Sequence, residues 1–507
     1  MERPLLTISS KDFQSGIAML GAHAERGGLF YKAAGITPLF DAGGALANEN
    51  GFLMSSDAGT AASYGSVTGN ILNAIPHDQS AIANCNMIAV TSANKICRVE
   101  FDSNGAPNGA LTTIFTAGGT MTPGIAFIEF PDGNKYILYR QTTNLGSYET
   151  GGSTQNDTLQ GLTADFFGSL HFHYALNKFF MGNGTGKICS MTVGATLAAS
   201  TFKTDALTFD KTSIATDISD DGQYVVIAIT RNTTATTTML YDSKILYWDG
   251  SSTTGYLKDF TITDPLIYAL RKTPMGLFAF GITGIWQVSF DGVKKIFNHS
   301  PGIYTASGAS ALHYGRGATS FFSDALLWGG MVGSTNTVTA VKSLGKLDSA
   351  ALSAYLNPFL GPVAKNITFV SGQLSKGYVF VADDTPQLKY YQVGGGGAAT
   401  GVTAQTVYFP LPQPVDITHV DVIFGEPLAS GDTLDLDIFK DEDTAVTDFG
   451  SVSYDANKTI RRYQFRQAGG GFMNVNQQLA LKLTFTAGAV KIKRIEVFGQ
   501  AVERTNV

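Results

Sequence analysis

Two histidines one residue apart, His171-Phe-His173, are the first residues in this chain whose types and spacing could do chemistry. On an extended strand that spacing puts both imidazoles on one face, where they could share a metal ion. No third ligand is adjacent, so the pair reads as polar, partly buried histidines. Asp217-Ile-Ser-Asp-Asp-Gly222 matches the first half of a calcium loop, with oxygens at its first, third and fifth positions and glycine at the sixth. The twelfth position, where such a loop needs a closing acid, is Ala228. The stretch therefore reads as the turn ahead of a strand at Tyr224–Ile229. Asp435, Asp437, Asp441, Glu442 and Asp443 form an acidic cluster at one end of another strand. Calcium could sit there, but a solvated edge that discourages strand-to-strand aggregation is the simpler account.

Other chemistries lack their signatures. Ser289-Phe-Asp-Gly292 is similar to a single Asp-box turn of sialidase propellers, without the spaced glycine and aromatic ending. The sequence has no Gly-x-Ser-x-Gly elbow, His-Glu-x-x-His helix, P-loop or dinucleotide fingerprint. Paired carboxylates for glycoside hydrolysis come from distant loops, and no pair stands out from the turn aspartates. Trp248, Trp286 and Trp328 fall on strands and read as packing residues rather than sugar-stacking platforms. No catalytic, cofactor-binding or metal-binding residue is assigned on these grounds.

The elements that would position such residues repeat. Ser243-Lys-Ile-Leu-Tyr-Trp-Asp-Gly250 has relatives at Asn94–Asp102, Gly186–Gly194 and Gly284–Gly292, each a strand that starts after a small or polar turn residue and ends in an Asp or Gly turn. A second strand follows each one (Leu111–Phe115, Thr201–Thr204, Leu257–Ile262, Lys294–Phe297), and a hydrophobic strand precedes it (Met87–Val90, Leu170–Ala175, Tyr224–Ile229, Leu266–Leu270). Antiparallel units recurring about every 40–50 residues with no helix between them predict an all-β chain built as a β-propeller. Strand groups near 87–115, 124–140, 168–204, 223–262, 266–297, 309–341 and 365–393 give roughly six or seven blades.

Residues 1–26 read as a lead-in, with a short helix over Ser10–Leu20, and 27–397 as the propeller. Gly27–Asp41 reads as a hairpin that completes the last blade and so removes an exposed edge. Asn48–Tyr64 and Gln141–Gln160 read as loops. Leu347–Pro358 reads as a short helix capped by Asp348 and stopped by Pro358. Gly394-Gly-Gly-Gly397 marks a flexible joint. Beyond it, residues 398–507 alternate with period two. Leu479, Leu481, Leu483 and Phe485 oppose Ala480, Lys482 and Thr484. Leu434, Leu436 and Ile438 oppose Asp435 and Asp437, and Val420, Val422 and Phe424 oppose His419, Asp421 and Ile423. About seven such strands predict a small antiparallel β-sandwich.

Composition narrows the function classes. Glycine makes up 57 of 507 residues, as many tight turns require. Charged residues are only 15%, replaced mainly by Ser, Thr, Asn, Gln and Gly, which suits a wet but uncharged surface packed against neighbours. A net charge of −6 leaves no basic footprint for nucleic acid. The N-terminus lacks an apolar signal-peptide core, and no stretch is apolar enough to span a membrane. Cys85, Cys97 and Cys189 match no zinc spacing and read as small buried hydrophobes.

The opening Thr7-Ile-Ser-Ser-Lys-Asp-Phe-Gln-Ser-Gly-Ile-Ala18, with Gly28–Ile36, resembles the N-terminus of tail-associated β-propeller proteins of tailed bacteriophages. Val415–Gly425 through Lys491-Ile-Lys-Arg-Ile-Glu-Val-Phe-Gly499 is similar to the terminal sandwich of that group. The resemblance implies a non-enzymatic structural protein of the virion, in the tail or its tip, assembled in the host cytoplasm and leaving by lysis. It implies a homo-oligomer around the tail axis, in contact with other tail proteins and with a host surface glycan or receptor, and no cofactor. The alternative is a carbohydrate-active propeller enzyme, a glycan depolymerase or sialidase-like hydrolase with a carbohydrate-binding sandwich. A surface adhesin would need an export signal.

Overall fold

The structure, a computed structural model, describes residues 4–9, 30–33, 36–38, 53–55, 62–66, 68–102, 108, 111–165, 167–231, 243–253, 255–264, 266–281, 284–298, 316–322, 325–332, 341–348, 354–357, 367–373, 378–383, 387–392, 402–425, 427–441, 447–453, 459–464, 473–487 and 490–502. Among these residues there is no α-helix, and the fold is all-β and propeller-like. None of the described residues forms a helix long and apolar enough to cross a membrane. The chain divides into two compact units, one of Met1–Ala61, Ser343–Pro362 and Gln392–Val507, the other of Ala62–Lys342 and Val363–Tyr391.

Seven four-stranded sheets follow one another along the chain. The first contains Ile71–Pro76, Met87–Thr91, Lys95–Val99 and Thr112–Thr116. The second contains Met121–Glu129, Lys135–Gln141, Asn144–Glu149 and Gln155–Gly161, and the third Leu170–His173, Lys178–Gly182, Lys187–Thr192 and Thr201–Thr208. The fourth has Ser213–Asp220, Val225–Arg231, Ser243–Trp248 and Lys258–Ile262, and the fifth Ile267–Thr273, Gly276–Gly281, Gly284–Ser289 and Gly292–Asn298. The sixth has Thr319–Phe322, Ala325–Val332, Val341–Asp348 and Ala354–Asn357. The seventh joins Ile367–Gln373, Tyr378–Asp383 and Gln387–Gln392 to an early strand, Ala62–Ser66. First strands of successive sheets touch, and that of the seventh returns to that of the first, so they line a closed ring.

Burial on both faces explains why these strands read as hydrophobic runs rather than clean alternations. In the fourth sheet Val225, Ile227 and Ile229 pack with Phe180, Ile188 and Leu207 of the third. The intervening Val226 and Ala228 pack with Ile267, Leu270 and Leu277 of the fifth. Strand side chains alternate between faces, so one strand serves two cores. Trp248, Trp286 and Trp328 are all buried, as their strand positions predict.

The ring closes through Tyr64. Its ring lies in one core with Ile71 and Met87 of the first sheet and Phe369, Phe380 and Leu388 of the seventh. Its hydroxyl accepts a hydrogen bond from the Glu100 N–H (2.9 Å) and lies 3.1 Å from the Asn108 carbonyl. The closing strand is therefore not the expected Gly27–Asp41 hairpin, which does not form: Phe30–Ala33 pairs with Val402–Thr406, and Ile36–Pro38 with Leu53–Ser55. Asn48–Tyr64 contains strand rather than loop alone: Leu53–Ser55 pairs with Ile36–Pro38 and Lys491–Ala501, and Ala62–Ser66 with Gln387–Gln392. Gln141–Gln160 likewise carries two strands; Gln155–Gly161 is polar because it is the outermost of its sheet and faces water. In place of a helix at Leu347–Pro358, Ala354–Asn357 pairs antiparallel with Val341–Asp348, so inter-strand hydrogen bonds override the local capping signal. The expected helix at Ser10–Leu20 and the joint at Gly394–Gly397 lie outside the described residues.

The unit that contains Gln392–Val507 holds two further antiparallel sheets, together with most of the last two strands of the sixth. In one, Ile36–Pro38, Leu53–Ser55, Lys491–Ala501, Val415–Phe424 and Ile460–Gln464 lie in that order, with Leu6–Ser9 paired to Lys491–Ala501 and Met473–Val475 to Val415–Phe424. In the other the order is Phe30–Ala33, Val402–Thr406, Gln478–Ala487, Thr433–Lys440 and Thr447–Ser453, and Phe409–Pro410 pairs with Gln478–Ala487. Leu434, Leu436, Ile438, Leu479, Leu481 and Leu483 are all fully buried, as the period of two predicts. The Tyr463 hydroxyl links the two sheets by donating to the Leu434 carbonyl at 3.1 Å.

Candidate functional site

A group of charged side chains lies on the ring of first strands. A register shift between Ala215 and Asp217 in the first strand of the fourth sheet re-aims Asp217. Its Oδ1 accepts from the Ile218 N–H (2.9 Å) and from Arg316 Nη1 (2.7 Å), and its Oδ2 from the Leu270 N–H of the fifth sheet (2.7 Å). Arg316 opens the 3₁₀ turn Arg316–Ala318, which leads into the sixth sheet and touches the first strands of the first, fifth and seventh. This single ion pair thus ties the fourth sheet to a turn packed against three others.

A second pair sits three residues further along the strand. His171 Nε2 lies 2.8 Å from Asp220 Oδ2, and Lys272 Nζ of the fifth sheet binds Asp220 Oδ1. The third, fourth and fifth sheets are joined through one carboxylate. Burial pushes the Asp220 carboxyl up, but His171 and Lys272 outweigh it and hold the group well below the usual carboxylate range. Burial pulls the His171 imidazole down; Asp220 opposes this, and Arg316 adds to it. A neutral His171 that donates Nε2–H to Asp220 accounts for the short contact.

Arg271, next to Lys272, points the other way. Its Nε donates to Thr319 Oγ1 (2.6 Å) and its Nη2 to the carbonyls of Thr319 (2.7 Å) and Arg316. Sequence reasoning missed Arg271, Lys272 and Arg316, because two basic residues on one strand and a third in a turn more than forty residues on have no motif spacing. The only local signal was a pair of adjacent charges inside a hydrophobic strand, where burial makes unpaired charge costly.

The residues singled out from sequence are dispersed. His171 and His173 share a face of Leu170–His173, as expected, yet His171 is bound to Asp220, while His173 is buried with no hydrogen-bond partner for either ring nitrogen. Asp217 and Asp220 belong to a strand rather than a turn; only Asp221 caps the following turn, accepting from the Gln223 and Tyr224 N–H groups (2.9 and 2.7 Å). Asp437 pairs with Lys482 at 3.2 Å, and Asp441 accepts the backbone N–H groups of Asn476, Gln477 and Gln478. Glu442 and Asp443 lie outside the described residues. Among those described, no group of three or more potential ligands could hold a metal ion. The cysteines are free and buried.

One surface groove deserves its place beside the ring. A cavity of about 570 Å³ is lined by Phe130, Pro131, Phe172, Tyr174, Asn177 and Val193, between neighbouring turns of the second and third sheets. Tyr174, 86% exposed, packs edge-on against Phe172.

No protein-family profile matches this chain, and no curated protein matches it. Among solved structures, it is similar to Raptor from Chaetomium thermophilum, at 11% identity and a TM-score of 0.45, over 68% of this chain and 30% of that one. The chain therefore spans less than a third of Raptor, and so slight a likeness assigns neither activity nor partner.

Proposed function

We propose that this protein is a non-enzymatic structural component of the virion of a tailed bacteriophage, in the tail or tail tip. In this reading the seven four-stranded sheets are the blades of a seven-bladed β-propeller, and the two remaining sheets are a terminal β-sandwich. The propeller is a rigid platform for other tail proteins and for attachment to a host surface glycan or receptor, in a homo-oligomer around the tail axis.

The observation that supports it best is a strand pairing. The described start of the opening stretch pairs with the closing one: Thr7 is opposite Glu496, Ile8 opposite Ile495 and Ser9 opposite Arg494. The ring adds a physical reason. Asp217 and Asp220 are engaged by cations from neighbouring sheets, which stiffens the assembly and suits a scaffold whose exposed turns make contacts.

Mass spectrometry of purified virions tests the reading, with immunogold labelling to locate the protein. It is expected in intact particles and at the tail. Virions that lack it would sink the proposal, and release of reducing ends from host glycans by the purified protein would replace it with the carbohydrate-active alternative.

A further inference from the structure

Of two guanidinium groups on the ring, only one is bound to a carboxylate. Arg316 uses Nη1 for Asp217 Oδ1 and the Ile218 carbonyl. Arg271 reaches only neutral acceptors, the Thr319 hydroxyl and the carbonyls of Thr319 and Arg316. Asp217 has little left to offer it, since Arg316 and two backbone N–H groups already occupy both its oxygens. Burial and then the like charge of Arg316 pull the Arg271 guanidinium down to about 9, with Asp217 acting in the opposite sense. Burial is the larger cause, and among the described residues no carboxylate binds the group directly.

The local charge count agrees. Arg271, Lys272 and Arg316 face Asp217 and Asp220, which leaves one positive charge in excess before His171 is considered. Residues 299–315, which lead into Arg316, contain no Asp or Glu. Among the described residues, Arg271 Nη1 and Arg316 Nε and Nη2 have no acceptor, and none of them is sealed from solvent. Partly buried cationic charge of this kind is stabilised by an anion, and guanidinium N–H donors match the several acceptor oxygens of a carboxylate or phosphate better than a halide.

We propose that Arg271 and Arg316 form a binding site for a small oxyanion, a phosphate or a carboxylate, on the wall of the ring. The site does not depend on the tail reading. The two sources share one chemistry: a free phosphate would be a bound ion, whereas a carboxylate would come from an acidic segment of another chain.

The test uses the full chain at fixed pH and ionic strength. Melting temperature is followed while inorganic phosphate replaces chloride in one arm and a triglutamate peptide is added in the other. A ligand that binds only the folded state raises the melting temperature with a saturating concentration dependence. Phosphate also stabilises proteins by exclusion, but that effect does not saturate and would persist in a variant. The expected result is a saturable shift that Arg271→Met removes and that Lys244→Gln retains; Lys244 pairs with Asp259 on the outer strands of the fourth sheet. Should Arg271→Met fold poorly, Arg271→Lys keeps the charge without the fork and should weaken binding about tenfold or more. A shift with phosphate identifies a free anion, and a shift with the peptide alone identifies a carboxylate of a partner. No saturable shift in either arm, or one that survives both Arg271 variants, overturns the site.

Discussion

Arg316 and Asp217, 99 residues apart in the chain, meet at 2.7 Å, and the Asp217 side chain is 1% exposed. Removing one partner of such a pair leaves the other buried without its counter-ion, which costs about 3–5 kcal/mol. Asp217→Asn should approach that loss, because Arg316 would then lack its carboxylate. Urea midpoints measure it, and Arg316→Met combined with Asp217→Asn should cost less than the two added together. A single-variant loss below about 1 kcal/mol would show that the pair does not hold the ring.

The His171–Asp220 contact makes stability pH-dependent. Burial keeps the folded His171 value below its unfolded one near 6.5, so the unfolded chain takes up the proton first as pH falls. The His171 contribution is full above about pH 6.5 and declines below it. Asp220 has a lowered folded value, so its contribution is full above about pH 4 and is lost on further acidification. Midpoints measured from pH 8 to 5 should fall, and His171→Gln should flatten the curve between pH 6.5 and 5. Equal slopes for both proteins would contradict the assignment.

Tyr64→Phe removes the hydroxyl that accepts the Glu100 N–H and leaves the ring in its core. A fully buried donor left unpaired costs about 1–3 kcal/mol, and this partly buried one should cost about 1 kcal/mol. Hydrogen exchange should quicken at Ala62–Ser66 before it changes in Val225–Arg231. Unchanged protection at Ala62–Ser66 would mean that the closing strand is held by other contacts.

All three thiols are buried, and burial pushes Cys85 up to about 11 and Cys189 up to about 12. Thiolate is the reactive form, so the native protein should be inert to a thiol reagent at pH 8 and titrate fully once denatured. Rapid labelling of Cys97 or Cys189 in the native state would show that these cores open.

What the sequence made legible is the repeated unit, because it rests on local physics. A hydrophobic strand bounded by Asp, Asn and Gly turns needs no knowledge of its partner, and the strand groups from 87 to 393 correspond to the seven sheets. The same holds for Leu434–Ile438 and Leu479–Leu483, where a period of two suffices to place one face in a core. Pairing over long distances was a different matter. Phe30–Ala33 and Ile36–Pro38 are adjacent in the chain and look like a hairpin, yet each finds another partner, and the closing strand comes from a segment that resembled a loop.

The ionic cluster lay further still from view. His171, Asp217, Asp220, Arg271, Lys272 and Arg316 come from three sheets and a turn, and nothing in their spacing links them. By itself the amino-acid order determined where strands begin and end, since turn geometry and side-chain alternation act over a few residues. Only the closed ring decided which charges meet, because that depends on which first strands become neighbours, and neighbours are chosen by packing across the whole unit.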